Sequence, residues 1–212
     1  MRLYTYWRST ASYRVRIALG LKGIKAEHVP VHLVRDGGEQ HGPAYRTVNP
    51  QERVPALELD DGTVIPQSPA ILEYLEEVYP EPPLLPAHAV ERAKARAVAS
   101  IVGCDIHPLS NVSPLTYLRR DLGQDEAAVA AWIARWIHDG FRAVEQLIGE
   151  EGFAFGPEPG LADVFLIPQV YSARRFNVSL DAYPKIMRVD ALAAGHPAFI
   201  AAHPTNQADA EC

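Results

Sequence analysis

The sequence predicts two domains of different class. A small α/β domain of order β-α-β-β-β-α covers residues 1–80, a linker covers 81–88, and an all-helical domain covers 89–212. Three observations predict this. Up to about residue 80 the apolar pattern keeps switching between the alternation of a strand and the spacing of a helix. The run Pro80-Glu81-Pro82-Pro83 then breaks that pattern. Beyond it, long Ala-rich windows follow one another with Gly or Pro between them.

Each element has its own signal. Leu3-Tyr4-Thr5-Tyr6 is a short β-prone run, and Ala11 to Lys22 carries Val15, Ala18, Leu19 and Lys22 at helical spacing. Val29, Val31 and Leu33 alternate as in a half-buried strand. A polar loop follows, with Asp36-Gly37-Gly38 and then Asn49-Pro50. Val54-Pro55-Ala56-Leu57-Glu58-Leu59 and Thr63-Val64-Ile65 flank Asp60-Asp61-Gly62, which reads as a hairpin. Gln67-Ser68-Pro69 opens a helix with Ile71, Leu72, Leu75 and Val78 on one face, and Pro69 suits its first turn. The helical windows of the second domain are Val90–Ile106, Asp125–Gly149, Leu161–Ala173 and Ala182–Ala194, and 205–212 reads as a frayed tail.

The first half has the order of a thioredoxin-like domain. A thioredoxin carries CxxC after its first strand, where this chain has Arg8-Ser9-Thr10-Ala11-Ser12, so disulfide exchange is not expected. The two cysteines, Cys104 and Cys212, make neither a CxxC pair nor a disulfide framework. Lys and Arg number 20 against 26 Asp and Glu, a net charge of −6, so the chain has no general attraction to nucleic acid or anionic membrane. With no apolar run long enough to span a bilayer and no signal-peptide segment, a cytoplasmic protein is expected. Any anionic ligand must be held by local groups.

Ser9, Thr10 and Ser12 surround the start of the first helix. The simpler role for each is capping the free backbone amides. Together they also suit an anion, because amides and dipole both favour negative charge there. A thiolate would be stabilised at this point, and its sulfur would have to come with a cofactor, since the chain offers none. Gln67-Ser68 stands at a second helix start, where a carboxylate can accept from the Ser68 hydroxyl and amide. A cis peptide at Val54-Pro55 would turn the Val54 backbone outward to pair with an extended peptide. Elsewhere the plain structural roles are preferred. His28 and His32 lack a third metal ligand, Asp163 caps a helix by reaching back to the Gly160 amide, and Trp132 and Trp136 pack.

The run from Tyr6-Trp7-Arg8-Ser9-Thr10-Ala11-Ser12-Tyr13 through Arg14-Val15-Arg16-Ile17-Ala18-Leu19 resembles the signature of zeta-class glutathione transferases. Asn49-Pro50-Gln51, Val54-Pro55-Ala56-Leu57, Gln67 to Glu76, Ile106 to Asn111, Ala162-Asp163, Pro168-Gln169-Val170 and Arg175-Phe176 agree with it, in order, over roughly residues 1–207. The resemblance implies a glutathione transferase fold, glutathione as cofactor, a homodimer, and cis–trans isomerisation of a small dicarboxylate. Carried over by motif, Ser9 would hydrogen-bond the glutathione sulfur, with Thr10, Ala11 and Ser12 lining the same turn. Val54 would pair with the cysteinyl backbone, and Gln67 and Ser68 would hold the γ-glutamyl end. Gln40, His107, Asn111 and Ser113 match further glutathione contacts, and Asp105 would reach the neighbouring subunit's glutathione. Many members of the class have Ser-Ser-Cys-Ser in the signature; here Thr10-Ala11 replace the inner Ser-Cys, which leaves Ser9 as the main catalytic candidate.

The expected substrate is maleylacetoacetate, converted to its fumaryl isomer in aromatic amino acid catabolism. Arg8 and Arg175 are chosen for its carboxylates, because guanidinium binds them bidentately and stays charged. Three alternatives stand beside this reading: the same chemistry on maleylpyruvate, a transferase that conjugates or dehalogenates small α-halo acids, and a non-catalytic binding module of the same fold.

Overall fold

In the computed structural model, which describes residues 1–211, the first β-prone run forms β1 (Arg2–Thr5) and the first periodic window forms α1 (Thr10–Leu21). The chain returns as β2 (Glu27–Pro30), parallel to β1 with Tyr4 opposite Val29. A short α2 (Pro43–Val48) follows inside what the sequence presents as a polar loop. Tyr45 is its one buried residue, so its six residues carry no periodicity to detect. The hairpin expected around Asp60-Asp61-Gly62 is present as β3 (Ala56–Glu58) and β4 (Val64–Pro66), with Gly62 at φ +86° in the turn. The sheet order is β2-β1-β3-β4, and β3 runs antiparallel to both neighbours. α3 (Ser68–Val78) closes the motif with Ile71, Leu72 and Leu75 buried.

Every residue of α1 from Thr10 to Leu19 is buried, as it packs against α3 as well as the C-terminal segment of its unit. That encloses two arginines. Arg16 is satisfied by donating to Thr5 Oγ1 (3.0 Å) and to the carbonyls of Tyr6 (3.3 Å), Trp7 (2.9 Å) and Ala202 (3.1 Å). Just past the end of the helix, the buried Lys22 ammonium meets Glu76 at 2.8 Å and donates to the Tyr79 and Pro82 carbonyls. Glu76 in turn accepts from the Leu84 amide at 2.9 Å. These bonds draw residues 79–84 into the first compact unit, which runs to Leu84 instead of ending at residue 80.

The second unit, Leu85–Ala194, is helical. It contains α4 (Ala89–Ser100), a π-helical turn at Ile101–Ile106, a 3₁₀ turn at His107–Ser110, α5 (Val112–Arg120), α6 (Glu126–Leu147), α7 (Leu161–Arg175) and α8 (Pro184–Ala194). α6 is amphipathic, burying Val129, Ile133, Ile137, Phe141 and Val144, and Asp125 caps it by accepting from the Ala128 amide. α7 is the unit's central helix, buried without interruption from Leu161 to Val170. Trp132 and Trp136 stack edge to face at 5.5 Å, and Trp132 donates to the Leu109 carbonyl. This matches their expected packing role.

The π-helical turn lies against α6 at Gly140, where a Cβ would stand 2.3 Å from the fully buried Ile106 side chain. Gly140→Ala is therefore expected to destabilise the protein by about 1–3 kcal/mol through overpacking. Urea unfolding of the two proteins checks this, and equal midpoints would show that the Ile106 side chain shifts freely.

After α8 the chain leaves the helical unit. From Gly195 on it belongs with residues 1–84, so the helical domain expected to continue to 212 ends near Ala194. α9 (Pro197–Ala202) packs on α1. The described part of the segment expected to fray is docked instead: Asn206 and Gln207 donate to the carbonyls of Ile200, Ala201 and His203. Its polar composition conceals these contacts because they are made by side-chain amides. Cys212 lies outside the described residues.

Candidate active site

Two helix starts and one extended segment of the first unit carry most of the candidate residues. Ser9 has φ −68° and ψ 118° and is the N-cap of α1, its Oγ accepting from the Ser12 amide at 3.2 Å. Capping uses one lone pair. A hydroxyl has two lone pairs and one proton, so Ser9 still has its O–H to donate. Capping and anion stabilisation are thus compatible roles for one side chain. Thr10 and Ala11 are largely buried, and Ser12 is completely buried. Ser9 is therefore the more exposed hydroxyl of this turn, with Ser12 behind it. Arg8 stacks its guanidinium over the Trp7 ring at 5.3 Å.

At the second helix start, Ser68 is buried and its Oγ accepts from Arg14 Nη1 at 3.3 Å. The enclosed Arg14 charge adds to the positive end of the α3 dipole, which suits a carboxylate. Gln67 caps the helix at φ +71°, a region seldom used by residues with a Cβ. Such a backbone setting costs of order 1–3 kcal/mol and is often found at ligand clamps. Val54 precedes a cis Val54–Pro55 peptide, as the sequence suggests, and no main-chain hydrogen bond involves it among the described residues.

Gln40 is buried on a short 3₁₀ turn, donating to the Leu33 carbonyl at 3.3 Å and contacting His41 Nε2 at 3.1 Å. Its Oε1 is buried with no partner among the described residues. Gly38 stands at φ +104°, backbone that favours glycine, and its missing Cβ leaves the space that the Gln40 amide fills. His41 bonds to Glu52, which also pairs with Arg46 at 2.8 Å, and these contacts hold the Glu52 carboxyl below its usual range. Gln67 Nε2 donates to Gln51. A chain of side-chain bonds thus ties the Gln40 turn to the turn before Val54, and that turn to Gln67.

In the helical unit, Asp105 is exposed on the π-helical turn and His107 begins the following 3₁₀ turn. Asn111 caps α5 by accepting from the Val112 amide at 2.7 Å, and Ser113 is exposed in the first turn of α5. Arg174 and Arg175 both end α7, exposed, but differ in partners. Arg174 is held by Asp190 at 2.6 Å, while Arg175 lies over the Phe176 ring at 4.6 Å. Asp163 performs the capping expected of it: Oδ2 accepts from the Gly160 amide and Oδ1 from the Ala154 amide.

Sequence reasoning missed three contributors, namely Arg14 beneath Ser68, the Gln51–Glu52 turn, and the C-terminal segment. For Arg14 a signal was present. An arginine at the second position of Tyr13-Arg14-Val15-Arg16-Ile17 faces no polar stripe, because the helix is apolar on several sides.

Residues 3–83 match the family model of the glutathione S-transferase N-terminal domain, and residues 126–204 match that of the C-terminal domain. A maleylacetoacetate isomerase from Pseudomonas aeruginosa is 60% identical over 99% of this chain and 98% of its own. A solved holo structure of maleylpyruvate isomerase, described as a bacterial zeta-class glutathione S-transferase, superposes with a TM-score of 0.95 at 50% identity, covering all of both chains. The chain belongs to the zeta class of the glutathione S-transferase family. Another member, a maleylacetoacetate isomerase from Anaeromyxobacter dehalogenans, was solved with glutathione bound in its active site. It covers 99% of this chain and 97% of its own at a TM-score of 0.88 and 41% identity. In this zeta-class transferase no helix among the described residues is long and apolar enough to cross a membrane.

Proposed function

We propose that this protein is a glutathione-dependent isomerase that converts maleylacetoacetate to fumarylacetoacetate. The observation that carries the reading is Ser9, which caps α1 through oxygen and keeps its proton to donate, at a point with no cysteine of its own. The donor set fits glutathione. The partnerless Gln40 Oε1 suits an N–H, the Val54 main chain suits an extended peptide, and Ser68 over Arg14 suits a carboxylate.

When bound, glutathione supplies a thiolate that adds to the cis double bond and leaves again after rotation, so it is not consumed. Ser9 holds negative charge on sulfur by donating its hydroxyl proton, helped by the amides and dipole of α1. Thr10, Ala11 and Ser12 shape the turn. Gln67 and Ser68 hold the γ-glutamyl end, and His107, Asn111, Ser113 and Asp105 are offered as further contacts. Arg8 and Arg175 bind the substrate carboxylates. Guanidinium groups suit them because they bind carboxylates bidentately and stay charged. A cytoplasmic homodimer acting in aromatic amino acid catabolism belongs to the same proposal.

A second reading, the same chemistry on maleylpyruvate, is favoured by the 0.95 TM-score to that isomerase. The test is a parallel assay of both substrates with sub-stoichiometric glutathione. Maleylacetoacetate is expected to shift fully from cis to trans with glutathione recovered intact. A clear preference for maleylpyruvate selects the second reading. Glutathione lost in proportion to product would show conjugation, and no binding to immobilised glutathione would leave only a binding module.

A further inference from the structure

After α9 the chain passes beside the turn that carries Ser9. Asp209 Oδ2 accepts from the Trp7 amide at 2.9 Å. On the other side of the same residue, the Trp7 carbonyl accepts from Arg16 at 2.9 Å, and the Tyr6 carbonyl accepts from both Arg16 and the Ser9 amide. The β1–α1 turn is therefore gripped from two directions, by α1 itself and by the C-terminal segment. Ala210 packs against the cluster of Tyr6, Trp7, Val31, Tyr45 and Val54, which includes both the Ser9 turn and the extended segment. Glu211 completes the attachment, 3.0 Å from His32 Nε2 and 2.8 Å from Arg35 Nη2. His32 Nδ1 accepts from the Val34 and Arg35 amides, so Nε2–H is the donor to Glu211.

We infer that Asp209 is a positioning residue for the isomerisation, holding the Trp7–Ser9 backbone so that the Ser9 hydroxyl meets the cofactor sulfur. The inference rests on the function proposed above. A carboxylate on a backbone amide makes a charge-assisted bond, stronger than an ordinary one. It anchors a turn in which a displacement of about 1 Å costs up to roughly a hundredfold in rate.

The test compares Asp209→Ala with Asp209→Asn, which keeps an acceptor oxygen for the Trp7 amide. Hydrogen exchange of residues 6–12 in the free protein is expected to quicken about tenfold in the alanine variant. In the same variant kcat should fall by roughly tenfold or more with substrate KM little changed, and bound glutathione should ionise at higher pH. Asparagine should restore all three. Unchanged exchange overturns the inference, as does faster exchange with kcat and thiol titration both at wild-type values, since Asp209 would then be structural only. If the wild-type protein binds glutathione without isomerising, the proposed function fails while the exchange and titration still decide the role of Asp209.

Discussion

Ser9→Ala is expected to lower turnover at neutral pH by roughly tenfold to a hundredfold while weakening glutathione binding much less. The hydroxyl contributes one hydrogen bond to a charged acceptor, worth about 1.5–3 kcal/mol. Its loss raises the pKa of the bound thiol, since the ionised form loses a donor. Less of the thiol is then ionised at neutral pH, so the lost rate returns as pH rises. The neutral thiol never needed the bond as strongly, so affinity changes less than rate. The complication is that Ser9 also caps α1 through the Ser12 amide, and an alanine cap costs about 0.5–2 kcal/mol of stability. Glycine at an N-cap costs only a few tenths. Ser9→Gly should therefore melt close to the wild type yet share the alanine variant's shifted pH–rate profile. An unmoved profile in both variants would leave Ser9 as a cap and nothing more.

The parts legible in the sequence are those where local pattern and final structure obey the same rule. The hairpin at Asp60-Asp61-Gly62, the Ser9 cap, the Asp163 cap and the break after Val78 all depend on residues within a few positions of one another. The features that escaped join distant parts of the chain. Arg14 reaches Ser68 from 54 residues away, and Asp209 reaches Trp7 from 202. No periodicity records such contacts. The extent of the first unit escaped for the same reason, because Lys22 and Glu76 hold the linker by its carbonyls and an amide, which every residue possesses. Within the candidate site, the supporting bonds behind Ser68, Gln67 and Trp7 became visible only in three dimensions.

Asp163→Ala is expected to destabilise the protein by about 2–4 kcal/mol, because it leaves the Ala154 and Gly160 amides, one buried and one partly so, without their acceptor. The pH dependence provides a sharper test. Burial pushes the Asp163 carboxyl up to about 6 from 3.8, overcoming the backbone amides and the Arg188 charge that pull it down. The folded protein thus holds this proton more tightly than the unfolded chain, and between those values it binds more protons. Stability from this group is complete below about 3.8 and is lost as pH rises through about 6. Urea unfolding at a series of pH values from 4 to 7 should show this component in the wild type. Asp163→Asn should remove it, because an amide does not titrate, and should cost less than alanine since one oxygen still accepts. Parallel pH curves for wild type and asparagine variant would mean that the two amides hold the carboxyl at its ordinary value. Arg175 ends the helix that Asp163 begins, so the activity of the folded variants separates the two roles. At a temperature where Asp163→Asn is fully folded, kcat should match the wild type, as expected of a residue that holds α7 in place and touches no substrate.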